Sequence, residues 1–311
     1  MKKSVWIPLV VIGAVILVIG GTILTFGIIN NKKLVNNEYI VDDYSNININ
    51  INTADIEFVY SSDSKQKIVC QEQEKVFHNV EVKDNTLNIN ASDSRIWYNH
   101  LFNFSLKKMK ITIYSPRQEF NDVSIISSTG NISIPSDFTF NNMDIKLSTG
   151  DTIIKSNVKE TLKVDISTGD MNIESKAKKI SLTSSTGDQI LKNIAAEEIK
   201  LETTTGDIFL DGKADVIYTK TTTGDHLLKN IVAKEIRSES TTGDITYVEC
   251  DSSSLIDVKT TTGEVNLSLL SSKMFEISTS TGKINVPSST SNSPLCKVKT
   301  STGNIKIDIK N

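Results

Sequence analysis

Seven consecutive Thr-Gly turns in this chain are followed at once by a carboxylate: Asp151, Asp170, Asp188, Asp207, Asp225, Asp244 and Glu264. Their spacing is almost constant. If the intervening segments stack, these side chains form one column, with Lys283 closing it. Stacked strands lie ~4.8 Å apart, and two like charges at that distance repel by ~0.9 kcal/mol even in water. Backbone amides in Asx-type turns are the expected partners that absorb this repulsion. What is left is an acidic stripe. Its chemistry is weak, salt-sensitive binding of divalent cations or cationic peptides, and it disfavours nucleic acid and other anionic polymers.

Other reactive residues are sparse. His78, His100 and His226 lie far apart, and no Cys or His spacing resembles a metal site. The chain has no G-x-S-x-G, P-loop or dinucleotide fingerprint. Cys70, Cys250 and Cys296 are odd in number and too few for a disulfide framework. His226 stands where the neighbouring units have Ile208 and Ile245, so it reads as a wall residue. The densest aromatic run, Ile96 to Phe104, contains Trp97, Tyr98, Phe102 and Phe104. Exposed, these four would mark a partner surface; the reading adopted is a plug for the end of a stack, because terminal repeats need a cap. No catalytic residue and no cofactor are expected beyond weak divalent cation binding.

The elements that would carry the stripe are repeats. Ten glycines follow a threonine, spread at nearly even intervals from Gly130 to Gly303. Seven and five residues before each glycine the chain is almost always apolar, as in Ile199 and Leu201, with Thr219 and Ser238 as exceptions. Two and four residues after it, apolar residues return in most units, as in Ile208 and Leu210. Spacing by two marks one face of a strand. Each unit is therefore a strand, a tight turn, a second strand and a return segment. Outward charges agree with stacking: Lys146 precedes Asp165, and Glu202, Lys220, Glu239 and Lys259 alternate in sign. Asp257 beside Glu276 breaks that rule. A period near 20 marks a solenoid. The 37-residue recurrence of Leu191–Ile194 (LKNI) at Leu228–Ile231 approaches a propeller blade, but the shorter units share one inward pattern. The fold class expected is an all-β, parallel β-solenoid of about ten 18–21-residue rungs.

Before the repeats, the run from Val5 to Ile29 carries no charge and follows Lys2 and Lys3. At 1.5 Å per residue it spans ~37 Å, enough for a ~30 Å hydrocarbon core, and no A-x-A cleavage pattern follows it. Residues 1–30 read as one transmembrane helix that anchors the chain in the cell membrane through residues 5–29, with the C-terminal domain outside. Residues 31–43 read as a polar stalk, 44–116 as an irregular β-rich cap, and 117–311 as the repeat solenoid. Within the cap, Thr53-Ala54-Asp55-Ile56 looks like a worn copy of the turn motif. The last strand, Ile305 to Ile309, alternates with Lys306, Asp308 and Lys310, which would discourage edge pairing.

The repeated S/T-T-G-D-I turn, the alternating front segment and the N-terminal anchor together resemble the bacterial putative-adhesin family of β-strand-repeat surface proteins over roughly residues 44–311. The resemblance implies an envelope-exposed, membrane-anchored β-solenoid used for attachment or envelope-stress sensing, and it carries no catalytic residues. Its implied partner is an envelope or host surface component. The alternative function is a glycan-active β-helix enzyme, a polysaccharide lyase or hydrolase. Such enzymes use carboxylates and basic groups in a cleft framed by long loops, whereas the turns here are short and uniform.

Overall fold

Alternation of period two over nearly the whole repeat region leaves the chain one regular option, and a computed structural model shows it. The structure describes residues 34–63, 65–73, 76–93 and 109–310. The expected anchor at residues 1–30 lies outside them, as do Trp97, Tyr98, Phe102 and Phe104. Among the described residues no helix is long and apolar enough to cross a membrane.

Each rung follows the expected plan. A front strand such as Thr139–Thr149 ends at the Thr-Gly turn, a short strand such as Thr152–Ile154 follows, and the return segment leads into the next front strand. Successive front strands pair in parallel with the glycines aligned; Thr149 sits opposite Thr129 and Thr168. Further along, the short strand after the turn, the return segment and the next front strand merge into long strands, Gln189–Thr205, Ile208–Thr223, His226–Thr242 and Ile245–Thr262. Their corners bend at Asn193 and Asn230, both with positive φ, which are the asparagines of the duplicated LKNI.

Inward columns form the core. Met143, Leu162, Ile180, Ile199, Ile217 and Ile236 are buried one above another, as are Ile145, Val164, Leu182 and Leu201 beside them. Burial of a Leu or Ile side chain contributes roughly 1.5–3 kcal/mol, and repetition over the rungs makes this column the main source of stability. The outward charges line up as expected, Lys146 with Asp165 and Lys220 between Glu202 and Glu239.

Both ends depart from simple sequential stacking. Near the N-terminus, Asn46–Thr53 lies between Thr86–Asp93 and Glu119–Thr129, parallel to both. Asp55–Tyr60 lies likewise between Lys110–Ser115 and Ile132–Ile134. Residues 44–60 are thus an additional rung, and the worn turn at Ala54 occupies the glycine position of the stack, its amide donating to the Thr129 carbonyl at 3.1 Å. The cap proper is antiparallel. Gln66–Gln73 crosses onto Lys110–Ser115, and Val76–Lys83 onto Thr86–Asp93. Residues 34–41, expected to belong to a polar stalk, instead form strand Leu34–Val41, paired antiparallel with Gln66–Gln73. Its alternation (Tyr39 and Val41 packed against the core) is what draws it into the sheet. Inside this end an aromatic cluster fills the rungs: Phe120 stacks on Tyr44 and on Phe140 at 5.7 Å between centroids in each case, and Phe58 meets Phe138 edge-on.

At the other end the chain skips a place. Leu295–Thr302 inserts between Ile245–Thr262 and Met274–Thr281, so the Gly303 rung lies inside and the Gly282 rung is outermost. The last strand, Ile305–Ile309, expected to be a charged edge, therefore pairs on both sides, with Val265–Leu269 and Ile284–Asn285. The inversion removes the like-charge contact of sequential stacking. Lys297 separates Asp257 from Glu276, aligned with both and 3.0 Å from the Glu276 carboxylate.

Candidate functional site

The acidic column forms one edge of the solenoid, and its backbone is fixed by the turn glycines. All ten have φ between 134° and 156°. A Cβ on Gly206 would lie 2.1 Å from the Gly187 carbonyl oxygen of the adjacent rung. Only glycine allows that close approach. The glycine amide donates to the threonine carbonyl of the following rung, as from Gly187 to Thr205 at 2.9 Å. Beneath, a Ser or Thr three residues before the glycine donates to the neighbouring glycine carbonyl: Thr221 to Gly206 at 3.3 Å, Thr260 to Gly243 at 3.2 Å. That explains why this inward column tolerates hydroxyls.

The carboxylates are bonded between rungs rather than within their own turns. Asp151 Oδ1 accepts from the Asp170 amide at 3.0 Å, and the pattern repeats through Asp170, Asp188, Asp207, Asp225 and Asp244, ending on the Glu264 amide at 2.7 Å. Each contact is a charge-assisted hydrogen bond, about twice as strong as a neutral one, and it offsets the repulsion along the column. The column also runs beyond the seven residues expected. Asp55 Oδ1 accepts from the Asn131 amide, and Asn131 Oδ1 from the Asp151 amide. At the far end Asn304 separates Glu264 from Lys283, accepting from the Lys283 amide at 2.9 Å. The two asparagines show that the ladder needs a side-chain oxygen, not a charge. The excess acidity is extra to the fold. Asp151, Asp170, Asp207, Asp225, Asp244 and Glu264 are exposed and Asp188 half-buried. Among the described residues no lysine or arginine is paired with any of the six aspartates.

Three of the polar residues that interrupt the apolar columns explain one another. Thr219 and Ser238 lie opposite each other in adjoining rungs, their hydroxyls 2.7 Å apart. His226 Nδ1 lies 2.9 Å from Thr219 Oγ1, and the Tyr247 hydroxyl donates to Ser238 at 2.7 Å. All four are essentially inaccessible to solvent. Burial pushes the His226 ring down to a pKa of about 4, so it is neutral at pH 7. With no path for a substrate, this network serves packing.

A cluster that the sequence spacing did not reveal sits in the antiparallel cap. Cys70, Glu72 and His78 are all buried, and one donor atom from each lies within 4.8 Å of the others. Glu72 Oε1 accepts from the His78 backbone amide at 2.5 Å and faces its Nδ1 at 3.0 Å, and Glu72 Oε2 accepts from Asn37. Burial, with Glu72 close by, pushes the Cys70 thiol up to about 12; burial also lowers the His78 pKa, opposed in part by Glu72. The sequence signal was faint: positions 70 and 72 share one strand face, and His78 reaches them only through the hairpin. These three residues are the ones able to hold a metal here.

Comparison with known proteins places this architecture. The Toastrack DUF4097 family model matches residues 44–216 and 211–311. The chain belongs to the Toastrack DUF4097 family. No curated protein matches it. Among solved structures, this Toastrack chain is similar to a putative adhesin from Bacteroides fragilis, with 21% identity, a TM-score of 0.40, and 89% of this chain and 98% of the other covered. It is also similar to a putative adhesin from Parabacteroides merdae (14%, TM-score 0.47, 89% and 97% covered). A third is a putative lipid binding protein from Parabacteroides distasonis (17%, TM-score 0.43, 89% and 98% covered).

Proposed function

We propose that this Toastrack protein is a non-catalytic interaction protein of the cell surface, held in the membrane by residues 5–29 with its solenoid outside. It serves attachment to, or sensing of, an envelope component. The observation that carries the reading is the acidic ladder, which exceeds what the fold requires. Asparagine fills the same structural role at Asn131 and Asn304, yet seven successive rungs keep a carboxylate. A linear array of negative charge at a ~4.8 Å repeat suits an extended cationic partner, such as a basic peptide or an amine-bearing wall polymer, with divalent ions as weak competitors. Short, uniform turns along this edge support binding over turnover. The test is to incubate the full-length protein, in detergent, with isolated cell-wall material. Salt-sensitive retention without release of soluble oligosaccharide is expected. Release of oligosaccharide would instead establish the glycan-active enzyme.

A further inference from the structure

We propose that Cys70, Glu72 and His78 form a zinc-class metal site that clips the antiparallel cap together. The donor set is a thiol, which would give up its proton to solvent as the metal binds, an imidazole and a carboxylate. These are the three ligand types that zinc accepts, and the sulfur argues against calcium or magnesium, which take oxygen donors. Ligands of a tetrahedral zinc lie ~3.5 Å apart, given bonds of about 2.0–2.3 Å. The three donors here already lie within 4.8 Å of one another, so rotamer adjustment of about an ångström closes the site. They also stand on strands rather than loops, with Cys70 and Glu72 on Gln66–Gln73 and His78 on Val76–Lys83. Rigid elements of this kind hold ligands in place.

The second observation is the state of Glu72. Its side chain is 2% exposed, yet among the described residues no lysine or arginine is paired with it. Its partners are the His78 amide and ring and the Asn37 side chain. A buried carboxylate without a cation is costly, and a divalent ion bound by Cys70, Glu72 and His78 supplies the missing charge. Asn37 and Tyr39 are only half-buried on the neighbouring strand Leu34–Val41. A water as fourth ligand would enter past these two side chains. Glu72 would then keep Asn37 on one oxygen while the other turns to the metal, linking Leu34–Val41, Gln66–Gln73 and Val76–Lys83. This geometry sits at the solenoid's N-terminal end, where the strand Lys110–Ser115 separates Gln66–Gln73 from Asp55, the first member of the ladder; Cys70, Glu72 and His78 make no hydrogen bond to the ladder carboxylates among the described residues.

Cobalt(II) is the probe, because a tetrahedral thiolate site gives a sulfur-to-cobalt charge-transfer band together with intense visible ligand-field bands. The full-length protein in detergent is stripped with chelator under reducing conditions and titrated with cobalt. The expected result is both bands saturating at one metal per chain, then displaced by zinc. Absence of the charge-transfer band overturns the proposal. Cys70→Ala should abolish that band, and His78→Gln should weaken cobalt binding about 100-fold or more, since even outer-shell losses cost 10–100-fold. Should those variants fail to fold, Cys250→Ala with Cys296→Ala leaves Cys70 as the sole thiol. Retention of the band in that protein supports the assignment, and its loss there while far-UV circular dichroism is unchanged refutes it.

Discussion

Gly206→Ala probes the geometry on which every rung depends. The new Cβ would lie 2.1 Å from the Gly187 carbonyl oxygen and 2.6 Å from its carbon. Ordinary contact begins at 3.4 Å, so the rungs must part locally by more than 1 Å or the turn must rotate. Parting breaks the Gly187–Thr205 hydrogen bond, now 2.9 Å, and the Asp207 amide bond to Asp188, now 2.8 Å. A neutral hydrogen bond contributes about 1 kcal/mol and one to a charged group roughly 1.5–3 kcal/mol. Holding alanine at the φ of +147° seen for Gly206 adds about 1–3 kcal/mol of strain. With partial relaxation the expected loss is at least about 3 kcal/mol. For a urea m-value of about 3 kcal/mol/M, the unfolding midpoint should fall by about 1 M, read by far-UV circular dichroism. Lys220→Ala, on the outward face one rung on, should cost no more than about 1 kcal/mol. Equal midpoints for the two variants would refute the stacked-turn argument.

Three further outcomes are expected. His226 is neutral when folded and titrates near 4 instead of its usual 6.5, so its contribution is complete above pH 6.5 and is lost as the pH falls from there towards 4. One proton over that window is worth about 3 kcal/mol, and His226→Leu should flatten the stability-against-pH curve there; an unchanged parent-minus-variant difference across the window would contradict the buried neutral ring. Lys273, fully buried, donates to Asp251, to Ser271 at 2.7 Å and to the Ser252 carbonyl at 2.8 Å; Asp251 is 26% exposed, so Lys273→Met should destabilise by about 1–3 kcal/mol, chiefly through the stranded Ser252 carbonyl, and a denaturant midpoint equal to the parent's would show the pair to be dispensable. For the anchor, protease added to intact cells should digest residues beyond about 40 while the N-terminus stays with the membrane; recovery of a soluble protein starting near residue 30 would exclude it.

Local physics made much of the fold legible. The two-residue alternation around each glycine named the core columns, the Thr-Gly pair named the turn, and the outward charges gave the register of the central rungs correctly. What stayed hidden was non-local. Nothing in equivalent repeats states their order in space, so the placing of the Gly303 rung inside the Gly282 rung was visible only as a charge conflict between Asp257 and Glu276. The exceptions Thr219, Ser238 and His226 are each unremarkable alone, and only parallel register turns them into a hydrogen-bonded set. Leu34–Val41 was hidden because its partner, Gln66–Gln73, lies beyond two intervening strands and runs antiparallel. The acidic column itself was legible, but its bonding was not: the amide that each aspartate holds belongs to the next rung, a full repeat away along the chain. The cap cluster needed a hairpin to unite Cys70 and Glu72 with His78, which periodicity does not encode.

The most direct test of the acidic ladder is calorimetry of the full-length protein against a basic peptide and against calcium at low and physiological salt. Its control is the triple variant Asp188→Asn, Asp207→Asn and Asp225→Asn. Asparagine can still accept the inter-rung amide, as Asn131 does, so the variant should unfold at nearly the parent's midpoint while losing three adjacent charges. Peptide binding that weakens with salt in the parent and falls at least tenfold in the variant is the predicted result. Equal binding by the two proteins would contradict the claim that this edge is the interaction surface.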